Sequence, residues 1–129
     1  MNNQTQTLLQ ECLVSTGHVE CCAIFRRKDI LLRANSNGFT LSIQEMEDLS
    51  NTFSNLSETH SRGILLKDTN YKVIRADKYS IYGKKGKEGL VMIRTSILII
   101  LALYSADMYP SIVVEAVEKL GDYLREKGK

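Results

Sequence analysis

The sequence predicts an α+β fold: an antiparallel sheet of about seven strands, with the terminal helices packed on one face and a middle helix on the other. Three observations lead there. From Gly63 onward, "GILL", "YKVIRA", "YSIY", "GLVMIRT" and "ILIILALY" form a ladder of short period-two segments with tight connections, the pattern of an antiparallel meander. The last segment is apolar at nearly every position, as expected for a central strand covered on both faces. Apolar residues at helical spacing mark three further segments, enough to cover a sheet on both sides.

Taken in order, Leu8, Leu9, Cys12 and Leu13 form a short helical stripe that ends near "STG". "VECCAIF" (Val19 to Phe25) and "ILLRA" (Ile30 to Ala34) read as two strands joined by the charged turn "RRKD", and "NSNGFT" is a loop. A capping box opens the middle helix: Ser42 is placed to accept from backbone donors and Glu45 to reach back. Ile43, Met46, Leu49 and Phe53 line one face of that helix. The five strands follow, and a final helix starts near Pro110, a residue favoured at the first helical position. Its stripe is Val113, Val117, Leu120 and Leu124, with Ala116 alongside, and "EKGK" places cations where the helix dipole favours them.

A chain of 129 residues suits one domain, 1–129, able to bury a core without disulfides or metals. Cys12, Cys21 and Cys22 are an odd number, and strand geometry sends the adjacent pair to opposite faces, so free thiols in a reducing compartment are expected. "MNNQTQTLLQECL" has no basic leader and no long apolar core, and "ILIILALY" is too short to span a bilayer as a helix. A cytoplasmic location and a monomer are the expectation.

Between Arg62 and Arg94 nine basic residues face three acidic ones, while acidic residues dominate the remainder. Such a dipole steers an acidic partner, though a solvated strand face accounts equally well for exposed lysines. Nucleic acid is disfavoured, because the basic segment lacks interleaved surface aromatics and the net charge is only +2. "GKKGKEG" is not a phosphate loop: Gly83 has Glu88 five positions on, and a strand follows instead of a helix. The two histidines, His18 and His60, lie in different predicted loops, and no cysteine pair has metal-ligand spacing, so neither metal nor cofactor is expected. A Cys12 or Cys21 nucleophile served by His18 is outweighed by buried, inert thiols. No enzyme is read here.

"GKKGKEGLVMIRTSILIILALY" and, after a short loop, "VVEAVEKLGDYLREKG" resemble the profilin family, with its GKKG-type hairpin, its KT turn and its terminal VVE-x-LGDYL helix. "YKVIRAD" and "VECCAIFRRKDILLRA" extend the resemblance over nearly the whole chain. "RADKYSIY", "MYPSI" and "KLGDYL" are most similar to a divergent animal branch of that family.

The resemblance implies three partners: monomeric actin, acidic phospholipids and proline-rich segments. It places actin contacts at Lys72, Arg75, Lys84, Val114, Glu118 and Lys119, with Val114 standing where family members carry a polar residue. Acidic phospholipids would meet Lys72, Arg75, Lys84, Lys85 and Lys87. The family's proline-binding groove stacks aromatic rings, but this chain has no tryptophan and offers Thr5, Leu8, Leu9 and Leu32, with only Tyr123 as an aromatic. Polyproline binding is therefore expected to be weak or lost. Two other readings stay open. One is a divergent member without actin binding, working through lipids or other cytoskeletal partners in sperm-forming cells. The other is a roadblock- or PAS-type scaffold or sensor with similar element order.

Overall fold

The structure, a computed structural model, describes residues 4–129. Seven strands are present: β1 (Cys21–Arg26), β2 (Leu31–Asn35), β3 (Ile64–Leu66), β4 (Thr69–Ala76), β5 (Ser80–Lys85), β6 (Glu88–Arg94) and β7 (Leu98–Tyr104). They form one sheet in the order β2-β1-β7-β6-β5-β4-β3, antiparallel throughout. The apolar run thus lies inside the sheet, with β7 between β1 and β6.

Alternation along β7 supplies two cores at once. Leu98, Ile100, Ala102 and Tyr104 pack with Leu9 and Leu13 of α1 (Gln4–Cys12) and its exit, and with Val113, Val117, Leu120 and Leu124 of α4 (Pro110–Glu126). Ile99 and Leu101 turn the other way, to Met46, Leu49 and Phe53 of α2 (Ile43–Thr52) and its exit. The terminal helices therefore share one face and the middle segment takes the other, as the sequence predicts. Cys21 and Cys22 follow the same alternation, one on each core. Among the described residues no helix is long and apolar enough to cross a membrane.

Three details differ from expectation. The middle helix is α2 as read, but a further short helix that the sequence does not signal, α3 (Leu56–Arg62), follows it. "TFSN" divides them, because its polar side chains compete for backbone partners: the Thr52 hydroxyl donates to the Leu49 carbonyl at 2.6 Å, and Thr59 of α3 donates back to the Thr52 carbonyl at 3.0 Å. Ile43 is 65% exposed and is not part of the buried stripe. His60 lies on α3, not in a loop. The capping box is present as read, with the Glu45 amide donating to Ser42 at 3.0 Å and the Ser42 amide to Glu45 at 2.8 Å.

Close approach explains one glycine in the sheet. A Cβ on Gly89 would lie 2.1 Å from Cζ of Tyr104, which stands directly opposite on β7. The β5–β6 hairpin turns on Gly86, whose φ of +61° suits the first central residue of a two-residue type II′ turn. "GKKGKEG" is thus two strand ends and a tight turn.

Candidate functional site

Helices α1 and α4 cover the sheet from β2 across to β6 and reach Ser80 and Tyr82 at the start of β5, leaving the same face of the end of β5, β4 and β3 open. The side chains on this open face follow from strand period. Tyr71 and Val73 of β4 point into the core beneath α2, so Lys72 points outward, directly opposite Lys84 of β5. A bulge at Ile74 then shifts the register and places Arg75 opposite Tyr82. Leu65, opposite Asn70 on β3, adds an exposed apolar side chain to the same face.

Tyr82 is the centre of this surface. The Arg75 guanidinium lies over its ring at 5.2 Å, a cation–π contact. Its hydroxyl donates to the Glu118 carboxylate of α4, to which Ser80 also donates at 2.9 Å. Burial, reinforced by the neighbouring Glu118 carboxylate, pushes the Tyr82 phenol up to about 12. Arg75 is oriented a second time by Asp77, with Nε to Oδ2 at 2.9 Å, which raises the guanidinium further above its ordinary value. Desolvation works to raise the Asp77 carboxyl, but the Tyr79 amide, Arg75 and the Ser80 amide together hold it lower. The result is a fixed cation beside a fixed anion, on a rim of free lysines.

Not every residue placed here by resemblance arrives. Lys72, Arg75, Lys84 and Glu118 converge, and Val114 is half-buried where α4 packs on the sheet. Lys119 is displaced, because one helical step beyond Glu118 turns it toward α1, where it lines a groove with Leu8, Cys12, Ala116 and Tyr123. Lys84 and Lys85 are neighbours in a strand and point to opposite faces, so the hairpin cations do not all face one way. Lys87 sits in the turn between them and β6.

The proline-binding set is also scattered. Leu8 and Tyr123 share the α1–α4 groove, Leu9 is fully buried, and Leu32 pairs with Phe25 on the α2 side of the sheet. Sequence reading missed Ser80 and Tyr82. The signal was present, since Ser80, Tyr82 and Lys84 are spaced by two and must share a face.

The thiol–base arrangement is not assembled. The His18 Nδ1 already accepts the Tyr109 amide at 3.1 Å, and its ring stacks on Tyr109 at 5.1 Å. Burial is the main cause that raises Cys21 to about 11 and Cys22 to about 12. Cys21 opens β1. Among the described residues no group of three or more His, Cys, Asp or Glu side chains is placed to hold a metal.

The family model for profilin matches residues 3–129. The chain belongs to the profilin family. Profilins are actin-binding, non-enzymatic regulators of the cytoskeleton. Profilin-4 of Mus musculus is 40% identical over 124 residues, covering 95% of this chain and 96% of its own. The crystal structure of Acanthamoeba castellanii profilin II superposes with a TM-score of 0.88 at 38% identity, covering 96% of this chain and 98% of that one. Mouse profilin IIa, solved in complex with a double repeat from the FH1 domain of mDia1, has a TM-score of 0.77 over 98% of this chain and 99% of its own. At 14% identity that likeness speaks to the fold alone. The profilin placement displaces the roadblock and PAS readings.

Proposed function

We propose that this profilin binds monomeric actin through the open face of β4 and β5 and the adjoining side of α4. The observation that carries the reading is the pairing of Arg75 and Glu118 around Tyr82. Interfaces depend on a few anchored side chains, and here a cation and an anion are held before any partner arrives. Lys72 and Lys84 at the rim add steering toward an acidic surface. Val114 gives the α4 side of this surface an apolar edge.

Acidic phospholipids are a second ligand of the same face, favoured by the direct opposition of Lys72 and Lys84. Each cation near an anionic membrane is worth about 1 kcal/mol at low screening. Polyproline binding is weak or lost, since Leu32 is on the far side of the sheet from Tyr123 and Leu9 is buried. Replacing Leu32 with tryptophan accordingly leaves a polyproline column unable to retain the protein at physiological salt.

The test is inhibition of spontaneous actin polymerisation at low and raised salt. Dose-dependent inhibition that weakens with salt, and that Arg75→Glu abolishes, is the expected result. No effect at high micromolar protein sinks the actin reading and leaves the lipid one, which binding to anionic vesicles then decides.

A further inference from the structure

One anion stands among the cations of the open face, and the turn fixes its position. Asp77 lies between β4 and β5, where its Oδ1 accepts the Tyr79 amide at 2.9 Å and the Ser80 amide at 2.8 Å. Its own amide closes the turn by donating to the Ser80 carbonyl at 2.9 Å. The carboxylate is therefore held before it meets any cation, and its pair with Arg75 has only one side chain left to order. Oδ2 then takes both Nε and Nη2 of Arg75, each at 2.9 Å.

That contact uses one edge of the guanidinium. The group is a flat fork with five donors, so an acceptor at Nε and Nη2 leaves the Nη1–Nη2 edge unused. One face of the fork lies on the Tyr82 ring, and the side chain as a whole is half-exposed. The open edge matches the two oxygens of a carboxylate.

The two ligand classes of this face ask different things of it. A folded acidic protein presents its carboxylates at fixed positions, so a cation already in place avoids the cost of being ordered on binding. A fluid membrane moves its headgroups to whatever cation is there and responds to the net charge of the face, which Asp77 lowers.

We propose that Asp77 is a specificity-determining residue of this face: it holds Arg75 for a protein carboxylate and weakens the attraction to anionic lipid. The proposal rests on the actin and lipid readings above and concerns how one surface divides between them.

The test uses Asp77→Asn and Asp77→Ser, each of which keeps a side-chain oxygen for the Tyr79 and Ser80 amides and removes the charge. Loss of an exposed ion pair should move the melting temperature by no more than about 4 °C. The heteronuclear NOE of the Arg75 Nε–Hε group should fall, reporting a freed guanidinium. Binding to phosphatidylcholine vesicles containing phosphatidylserine should tighten about fivefold. Inhibition of actin polymerisation at physiological salt should instead need about three to ten times more protein. Opposite directions in the two assays are the expected result. Tightening in both makes Asp77 a simple charge, and weakening in both makes it a strut of the hairpin. Either result overturns the proposal, as does a change in only one assay, a change in neither, or an unaltered Arg75 NOE. Wild-type protein that fails to inhibit actin or to bind the vesicles refutes the underlying reading, and the discrimination falls with it; failure of the inference alone shows only in the variants.

Discussion

The Tyr82 hydroxyl donates to the Glu118 carboxylate, tying strand β5 to the last helix across 36 residues of sequence. One side chain is therefore both a strut of the fold and the floor under Arg75. Tyr82→Phe keeps the ring but removes the donor, leaving Glu118 with Ser80. A loss of about 1–2 kcal/mol in unfolding free energy is expected, since hydrogen bonds to charged groups are worth more than neutral ones. Chemical denaturation measures it.

Burial of the same phenol, with that bond reinforcing it, sets a pH response. The Tyr82 phenol sits near 12 in the folded protein, above its ordinary value of about 10 in an unfolded chain. Folding therefore favours the protonated phenol. That contribution is whole below pH about 10 and is lost as pH rises from there through about 12. Ultraviolet titration should show a late-ionising tyrosine, and Glu118→Gln should bring it down.

Lys72 and Lys84 stand directly opposite each other on one face, an unfavourable pair for folding. Lys84→Glu replaces repulsion with attraction and should raise the melting temperature by about 2 °C. Actin inhibition by the same variant should fall at least about tenfold if the face works as proposed. Opposite signs in the two measurements are the expected outcome; a gain in both removes Lys84 from the interface.

Gly89→Ala should be among the most damaging small changes in the sheet. Its Cβ would clash with the hydroxyl end of Tyr104, a buried side chain of the core beneath α1 and α4. Overpacking of this kind costs about 1–3 kcal/mol. The double variant Gly89→Ala with Tyr104→Leu should recover part of the loss, and thermal melts of the three variants give the coupling.

Thiol labelling separates the three cysteines. Cys22 is buried and its thiol is held near 12, so it should react with iodoacetamide only after unfolding. Cys12 lies in the α1–α4 groove, is less shielded, and should label first in the native protein. Equal rates for the two before denaturant is added would contradict the packing.

Strand count, the two-sided burial of β7 and the helix pairing were legible because period two and period three-to-four patterns are dictated by which side chains leave water. The short helix α3 was not, because Leu56–Arg62 carries no apolar stripe, and it is tied to the end of α2 by the Thr59 hydroxyl on the Thr52 carbonyl. The site divides the same way. Lys72, Arg75 and Lys84 could be read from charge and alternation. Arg75 faces Tyr82 only because Ile74 is bulged, and a bulge depends on how two strands meet, not on one segment's pattern. Lys119 and Leu32 face neighbours that the sequence did not indicate, for a related reason: a one-residue step on a helix, or one bulge on a hairpin, turns a side chain another way.

The pairing of β1 with β7 has a consequence for how the chain reaches this structure. Cys21 meets Leu103 and Phe25 meets Ile99, so the seam at the middle of the sheet joins residues from opposite ends of the polypeptide. The hairpins from β3 to β6 can form locally as they leave the ribosome, whereas β1 and β2 wait with buried faces unsatisfied until β7 has been made. Distant pairings of this kind slow folding. The insertion of β7 beside β1 and the closing of α4 over the seam are therefore expected late in assembly, and until then the newborn chain exposes the strand edges most prone to pairing with a neighbour's.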